Sequence, residues 1–181
     1  MKQVNLANVQ EASESKRLPA GVYICVIRNV EDVPDKDYLK VTYDIADGEY
    51  KGYYDELRAN HPDWSWVGAY VKSYKEKALP MFKRFCSAIS KSNAGFVFDG
   101  GDVNADERTL IGKKLGIVLR EEEYYGNDGE VRTRLAVHKE FPVDVIAKQK
   151  VPELKKLPEE NSGINGFVAV NNSSSSEEIP F

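Results

Sequence analysis

Residues 37–48 read DYLKVTYDIADG. Leu39, Val41, Tyr43 and Ile45 fall on one side of an extended chain, and Tyr38, Lys40, Thr42 and Asp44 on the other. Such alternation marks a half-buried strand, because successive side chains leave opposite faces of the pleat. Asp47-Gly48 closes the stretch with a pair that readily supplies the left-handed backbone of a tight hairpin. The stretch therefore predicts an antiparallel sheet whose return strand is EYKGYYDEL, residues 49–57. Gly52 within it marks a bulge or a bend at a barrel corner.

Upstream, LPAGVYICVIRNVEDV (residues 18–33) carries Val22, Ile24 and Val26 alternating with Tyr23, Cys25 and Ile27. Both faces are apolar, so this strand is buried on both sides or bends between two packings. VPDKD, residues 33–37, is a turn-rich connection around Pro34. Downstream, residues 60–79 read as a turn at Pro62 followed by a helix. Pro80 ends that helix and suits the first turn of a second one. In PMFKRFCSAIS, residues 80–90, helical spacing turns Met81, Phe82, Phe85, Cys86 and Ile89 inward and Lys83, Arg84 and Ser87 outward.

The chain then returns to strands. Asn104–Leu110 suits one short helical turn, Lys113–Tyr124 a long strand, and Gly126–Gly129 a hairpin loop. Val131–Phe141 is the last strand, with Arg132 and Arg134 on its outer face. Three strands, a helical connection and two further strands make a mainly β protein, a five-stranded OB-fold barrel with a helical insertion between strands 3 and 4. Residues 18–149 form this domain. Residues 1–17 read as a loose polar arm, and residues 150–181, with prolines and then Asn, Ser and Glu, read as a disordered acidic tail.

Composition bounds the function. The 181 residues suffice for one domain with its own core. No apolar run reaches the roughly 18 residues of a membrane helix, and the first residues lack the apolar core of a signal peptide. A cytoplasmic protein is expected. The two cysteines, Cys25 and Cys86, sit far apart in apolar patterns and read as small buried hydrophobes. The formal net charge is −4, of which the five acids and two bases of residues 151–181 contribute −3. A nearly neutral body can still carry a basic groove, since binding follows local clustering.

Catalytic and metal motifs fail on inspection. Asp102-Val-Asn-Ala-Asp106 opens like a calcium loop, but Glu107 stands where Gly is needed and Lys113 where the bidentate Glu belongs. Gly112-Lys113 lacks the remainder of a phosphate loop. His61 and His138 have no Cys or His at metal spacing. Glu121, Glu122 and Glu123 alternate across a strand and do not converge. The expectation is a protein without enzymatic activity or cofactor.

Aromatic residues beside bases remain. Tyr38 and Lys40 share the outer face of the second strand, and Lys51 and Tyr53 one face of the expected third. Trp64 and Trp66 share a face if extended, with Lys72 and Lys75 following. Arg132 and Arg134 lie next to the hairpin that carries Tyr124 and Tyr125, and Arg28 and Lys36 flank the first connection. Single-stranded nucleic acid calls for this mixture, because bases stack on rings while Lys and Arg follow the phosphates. On an OB-fold the contact face is strands 2 and 3 with two loops, here about 30–37 and 126–129.

The last residues, Glu177-Glu178-Ile179-Pro180-Phe181, resemble the C-terminal tip of bacterial single-stranded DNA-binding proteins, where an acidic stretch before Ile-Pro-Phe docks replication, recombination and repair proteins. The tip here has two acids where bacterial tips often have three. The body is similar to phage-encoded single-stranded DNA-binding proteins in LPAGVYICVIRNVED (18–32), KGYYDEL (51–57) and LIGKKLGIVLREEEYYGNDGE (110–130). The resemblance implies a bacteriophage protein of DNA replication, recombination and repair. It would coat single-stranded DNA with little sequence preference and recruit partners through its tail; a homo-oligomer is compatible with this. An annealing protein or recombination mediator, an adaptor that ignores nucleic acid, RNA binding, and an acid-dependent nuclease are the competing expectations.

Overall fold

The structure, a computed structural model, describes residues 17–99 and 106–158. The proposed tip, most of the N-terminal arm and residues Asp102–Ala105 lie outside them. Five strands form one antiparallel sheet: β1 (Gly21–Val33), β2 (Tyr38–Ile45), β3 (Ala69–Ser73), β4 (Lys114–Tyr125) and β5 (Val131–Phe141). Their spatial order is β3-β2-β1-β4-β5. The sheet is not closed, and β3 and β5 are its edges. Helix α1 (Tyr53–Asn60) connects β2 to β3, α2 (Leu79–Ser92) lies between β3 and β4, and α3 (Val143–Ile146) follows β5. Among the described residues no helix is long and apolar enough to cross a membrane.

The alternation in β2 holds for the core side: Leu39, Val41, Tyr43 and Ile45 are all buried. In β1, Cys25 and Ile27 face the core, the register slips between Ile27 and Asn29, and Val30 then takes over the inward role. That bulge is the bend that two apolar faces require. β4 is buried on both faces along its first half, from Leu115 to Leu119. Gly116 lies there because Ile146 of α3 packs onto it; a Cβ would meet that side chain at 2.7 Å. From α2, Phe82, Phe85, Cys86 and Ile89 enter the same core, whereas Met81 is half exposed. Asn93 fixes the end of α2 to β4, donating through Nδ2 to the Lys114 carbonyl and accepting from the Lys114 N–H. Both cysteines are free and buried. Burial pushes the Cys86 thiol up to about 11 and the Cys25 thiol well up, so neither is a thiolate at neutral pH.

Two elements differ from the sequence reading. The segment after Asp47-Gly48 is not a return strand. Gly48 and Gly52 both adopt left-handed conformations, two successive turns follow, and Tyr53 begins α1. Asp44 selects this outcome. It was expected on the outer face of β2, but it is fully buried and accepts the Tyr54 N–H at 2.8 Å in the first turn of α1. Acids at Asp55 and Glu56 and a base at Arg58 match the polarity of the helix. The true third strand, β3, lies in the stretch expected to be helical. Gly68 (φ +58) breaks a helix there, and a Cβ on it would meet the Tyr43 carbonyl at 2.7 Å.

Within residues 151–158 one stretch pairs with the sheet. Lys155 pairs in parallel with Glu122, donating its N–H to the Glu121 carbonyl at 3.0 Å and accepting from Glu123 N–H at 2.9 Å. β4 thus holds this stretch through backbone groups, which side-chain periodicity does not reveal.

Candidate nucleic-acid interface

The open side of the sheet, between β3 and β5, is a groove of about 1210 Å³. Its walls come from the loop 61–68, β3, α2 and β5. Trp64 and Trp66 stand on the loop, each 51% exposed. Trp64 lies flat on His61, with ring centroids 3.9 Å apart and planes 10° from parallel. Lys40 of β2 places its Nζ 4.5 Å from the centre of the Trp66 ring. Each ring is thus propped on one side while half of its surface meets solvent.

A partly buried polar network fixes the loop. Arg58 donates from Nη1 to the Val67 carbonyl at 2.9 Å and to the Tyr43 carbonyl at 3.3 Å, and its Nη2 pairs with Asp55. Asp55 also pairs with Arg28 at 2.6 Å, and Arg28 lies 3.7 Å from Asp44. Burial pushes the Asp44 carboxyl up, against the pull of the Tyr54 N–H. Burial works on Asp55 in the same sense, but hydrogen bonds from Arg58 and Asp44 and the charge of Arg28 hold its carboxyl below the ordinary value. Arg28, one of the expected nucleic-acid contacts, ties β1 to α1 and does not line the groove.

Tyr53, also an expected contact, belongs to a chain of edge-to-face rings that runs Tyr23, Tyr50, Tyr53, Tyr54, Tyr43, Tyr70. Six of the ten tyrosines thus pack α1 and the 61–68 loop against the sheet. Lys72 differs most from expectation. Its side chain is 12% exposed, and Nζ lies 2.5 Å from Oε1 of Glu140 on β5, which is 1% exposed. This ion pair spans the two sheet edges beneath the groove. The nearby Tyr70 phenol is pushed well above its ordinary value by burial and then by the Glu140 charge. Lys72 therefore stands under the groove as a structural cation.

The groove assembles Tyr53, Trp64, Trp66, Lys72 and Arg134 of the expected residues, with Lys40 joined through Trp66. Arg134 pairs with Glu122 at 2.9 Å and lies 5.2 Å from the Tyr124 ring. The remaining expected residues do not line it. Arg132 pairs with Asp128 in the β4–β5 hairpin, and Tyr125 is exposed beside it. Lys51 and Lys75 are exposed elsewhere, and Tyr38 is half buried at the start of β2. Lys36 sits in a hairpin tip that also carries Glu31, Asp32, Asp35 and Asp37, an unfavourable place for a phosphate.

Sequence reasoning missed Arg17, Arg84 and His138 as groove residues, while Tyr124, named beside Arg132 and Arg134, lines the groove as well. Arg84 was assigned to the outside of α2, which is correct, but that outside is the groove wall. Its Nε and that of Arg120 are buried without a hydrogen-bond partner among the described residues. Burial, together with the charges of Arg120, Lys139 and Arg84, pushes the His138 imidazole below its ordinary value. Three cations thus act on His138, two of them with an Nε that has no partner among the described residues. Among the described residues no cluster of His, Cys, Asp or Glu is arranged to hold a metal ion. Compared with known protein families and with curated proteins, the chain matches none.

Proposed function

We propose that the chain binds single-stranded DNA in the β3–β5 groove, as a coat of exposed strands with little sequence preference. The observation that carries this reading is the groove itself, where half-exposed Trp64 and Trp66 meet Lys40, Arg84, Arg134 and Arg17 along one open side of the sheet. Bases stack on such rings with little regard to identity, and the cations follow the backbone. The strand order, with a helix between β3 and β4, supports an OB-type barrel left open at β3 and β5. In this reading the protein is phage-encoded, and Glu177–Phe181 docks proteins of replication or recombination. Phe181 offers a ring to an apolar pocket, Glu177 and Glu178 meet its basic lip, and Pro180 limits the ordering cost.

Deleting Glu177–Phe181 tests the division of labour. Oligonucleotide affinity stays equal or rises, because an acidic segment is removed, while capture of replication and recombination proteins is lost. Loss of DNA binding on this deletion contradicts the assignment.

His138 supplies a pH test. Burial, and then the neighbouring cations, depress the imidazole; a phosphate in the groove offsets the cations, so its pKa is higher in the complex than in the free protein. Binding then takes up a proton, and affinity rises as the pH falls from about 7.5 to about 5.5. His138→Gln flattens that rise. Anisotropy titrations of parent and variant across the range measure it.

A further inference from the structure

The opposite face of α2 borders a second groove, of about 1110 Å³, with a different chemistry. Leu39, Phe82, Cys86 and Phe98, all buried, form its floor, and Leu79 and Val97 stand 47% and 78% exposed at its walls. Asp32, Asp99 and Glu107 line it, against Lys83 as the cation among the lining residues. Asp32 and Glu107 lie near Tyr74, whose hydroxyl donates to Asp32 at 2.8 Å. Burial, the Asp32 hydrogen bond and the charges of Asp32, Asp37 and Glu107 push this phenol up to about 12. The β1–β2 hairpin tip, with Glu31, Asp32, Asp35 and Asp37, extends the negative edge.

We propose that this groove docks a partner protein through a short amphipathic segment, whose apolar side chains cover Leu79, Val97 and Phe98 and whose Lys or Arg meets the carboxylates around Tyr74. Charge decides among occupants. A second copy in a symmetric contact would set acids against acids, and the chain's own tip brings Glu177 and Glu178 to an already negative rim. A cationic amphipathic segment satisfies both the apolar floor and the rim. α2 separates this groove from the basic one: it turns Leu79, Phe82, Lys83 and Cys86 to the first, Met81 and Arg84 to the second. A partner and a nucleic acid can then be held together.

The test uses the full chain, a labelled helical peptide of Leu and Lys in amphipathic spacing, and a Leu/Glu peptide of the same spacing. The Leu/Lys peptide binds and the Leu/Glu peptide does not. Leu79→Gln with Val97→Asn, and separately Glu107→Lys, each weaken binding about tenfold, since each removes on the order of 1.4 kcal/mol. Leu79 and Val97 are exposed and Glu107 is half-buried at the rim, and both variants keep their oligonucleotide affinity. The proposal is overturned if both peptides bind alike or if the variants bind the peptide as the parent does. It is equally overturned if sedimentation shows a dimer that dissolves in Leu79→Gln/Val97→Asn, which would make a second copy the occupant.

Discussion

Trp66→Ala weakens binding of a dT oligonucleotide by about 5- to 150-fold, the range that a lost stacking contact of about 1–3 kcal/mol implies. The residue stands half exposed on the 61–68 loop with Lys40 against its ring, so the substitution removes a stacking surface and a cation–π contact together. Trp66→Phe keeps a ring and recovers most of the affinity. Trp64→Ala has the same sign, because that ring is pre-set on His61 and loses little freedom when a base joins the stack. The thermal midpoint of each variant stays close to that of the parent, since exposed side chains contribute little to folding. Unchanged oligonucleotide affinity in Trp64→Ala/Trp66→Ala would remove the loop from the interface.

Lys72→Ala destabilises the fold by about 3–5 kcal/mol, because it leaves the Glu140 carboxylate inside the protein without its cation. The energy comes from an uncompensated buried charge, so the same loss does not follow when both charges go. Lys72→Met combined with Glu140→Gln restores most of the stability, since replacing both partners of a buried pair is often neutral. Urea denaturation of the three variants measures this. The comparison also separates two roles for Lys72. A structural cation changes the denaturation midpoint. A phosphate contact would weaken oligonucleotide binding, most visibly at low salt, in a protein of unchanged stability.

What the sequence displays follows from which interactions are local. β2 spans eight residues, long enough for a period of two to be visible, and β5 shows the same period in sequence from Val131 to Val137. The β4–β5 hairpin carries its own turn at residues 126–129, and Pro80 marks the start of α2. The α1 and β3 segments were exchanged because their decisive partners are distant. Tyr53–Asn60 is drawn into a helix by the buried carboxylate of Asp44 on another element, and the signal that could have found it is the Asp55, Glu56 and Arg58 polarity. Ala69–Ser73 spans five residues, too few to establish a period, and becomes a strand by pairing with β2.

The candidate site divides in the same way. The tryptophans stand out by their residue type, and the structure sets them at a groove. Lys72 looks like Lys40 in sequence, yet one meets Glu140 inside and the other lies against an exposed ring. No local pattern separates them, because Glu140 comes from the far end of the sheet order. Arg84 and His138 enter the groove through the packing of α2 and β5, again a tertiary fact. The tip Glu177–Phe181 lies outside the described residues, and its role rests on its sequence.

The central claim is that the β3–β5 groove holds single strands. Anisotropy of a labelled dT oligonucleotide, titrated with the full chain at several salt concentrations beside a duplex of equal length, tests it most directly. The account predicts that the single strand binds more tightly than the duplex and that affinity falls with salt, by about 0.7 logarithmic units per phosphate neutralised for each tenfold rise in salt. Absence of binding at low salt, or a duplex bound as tightly as the single strand, would contradict it.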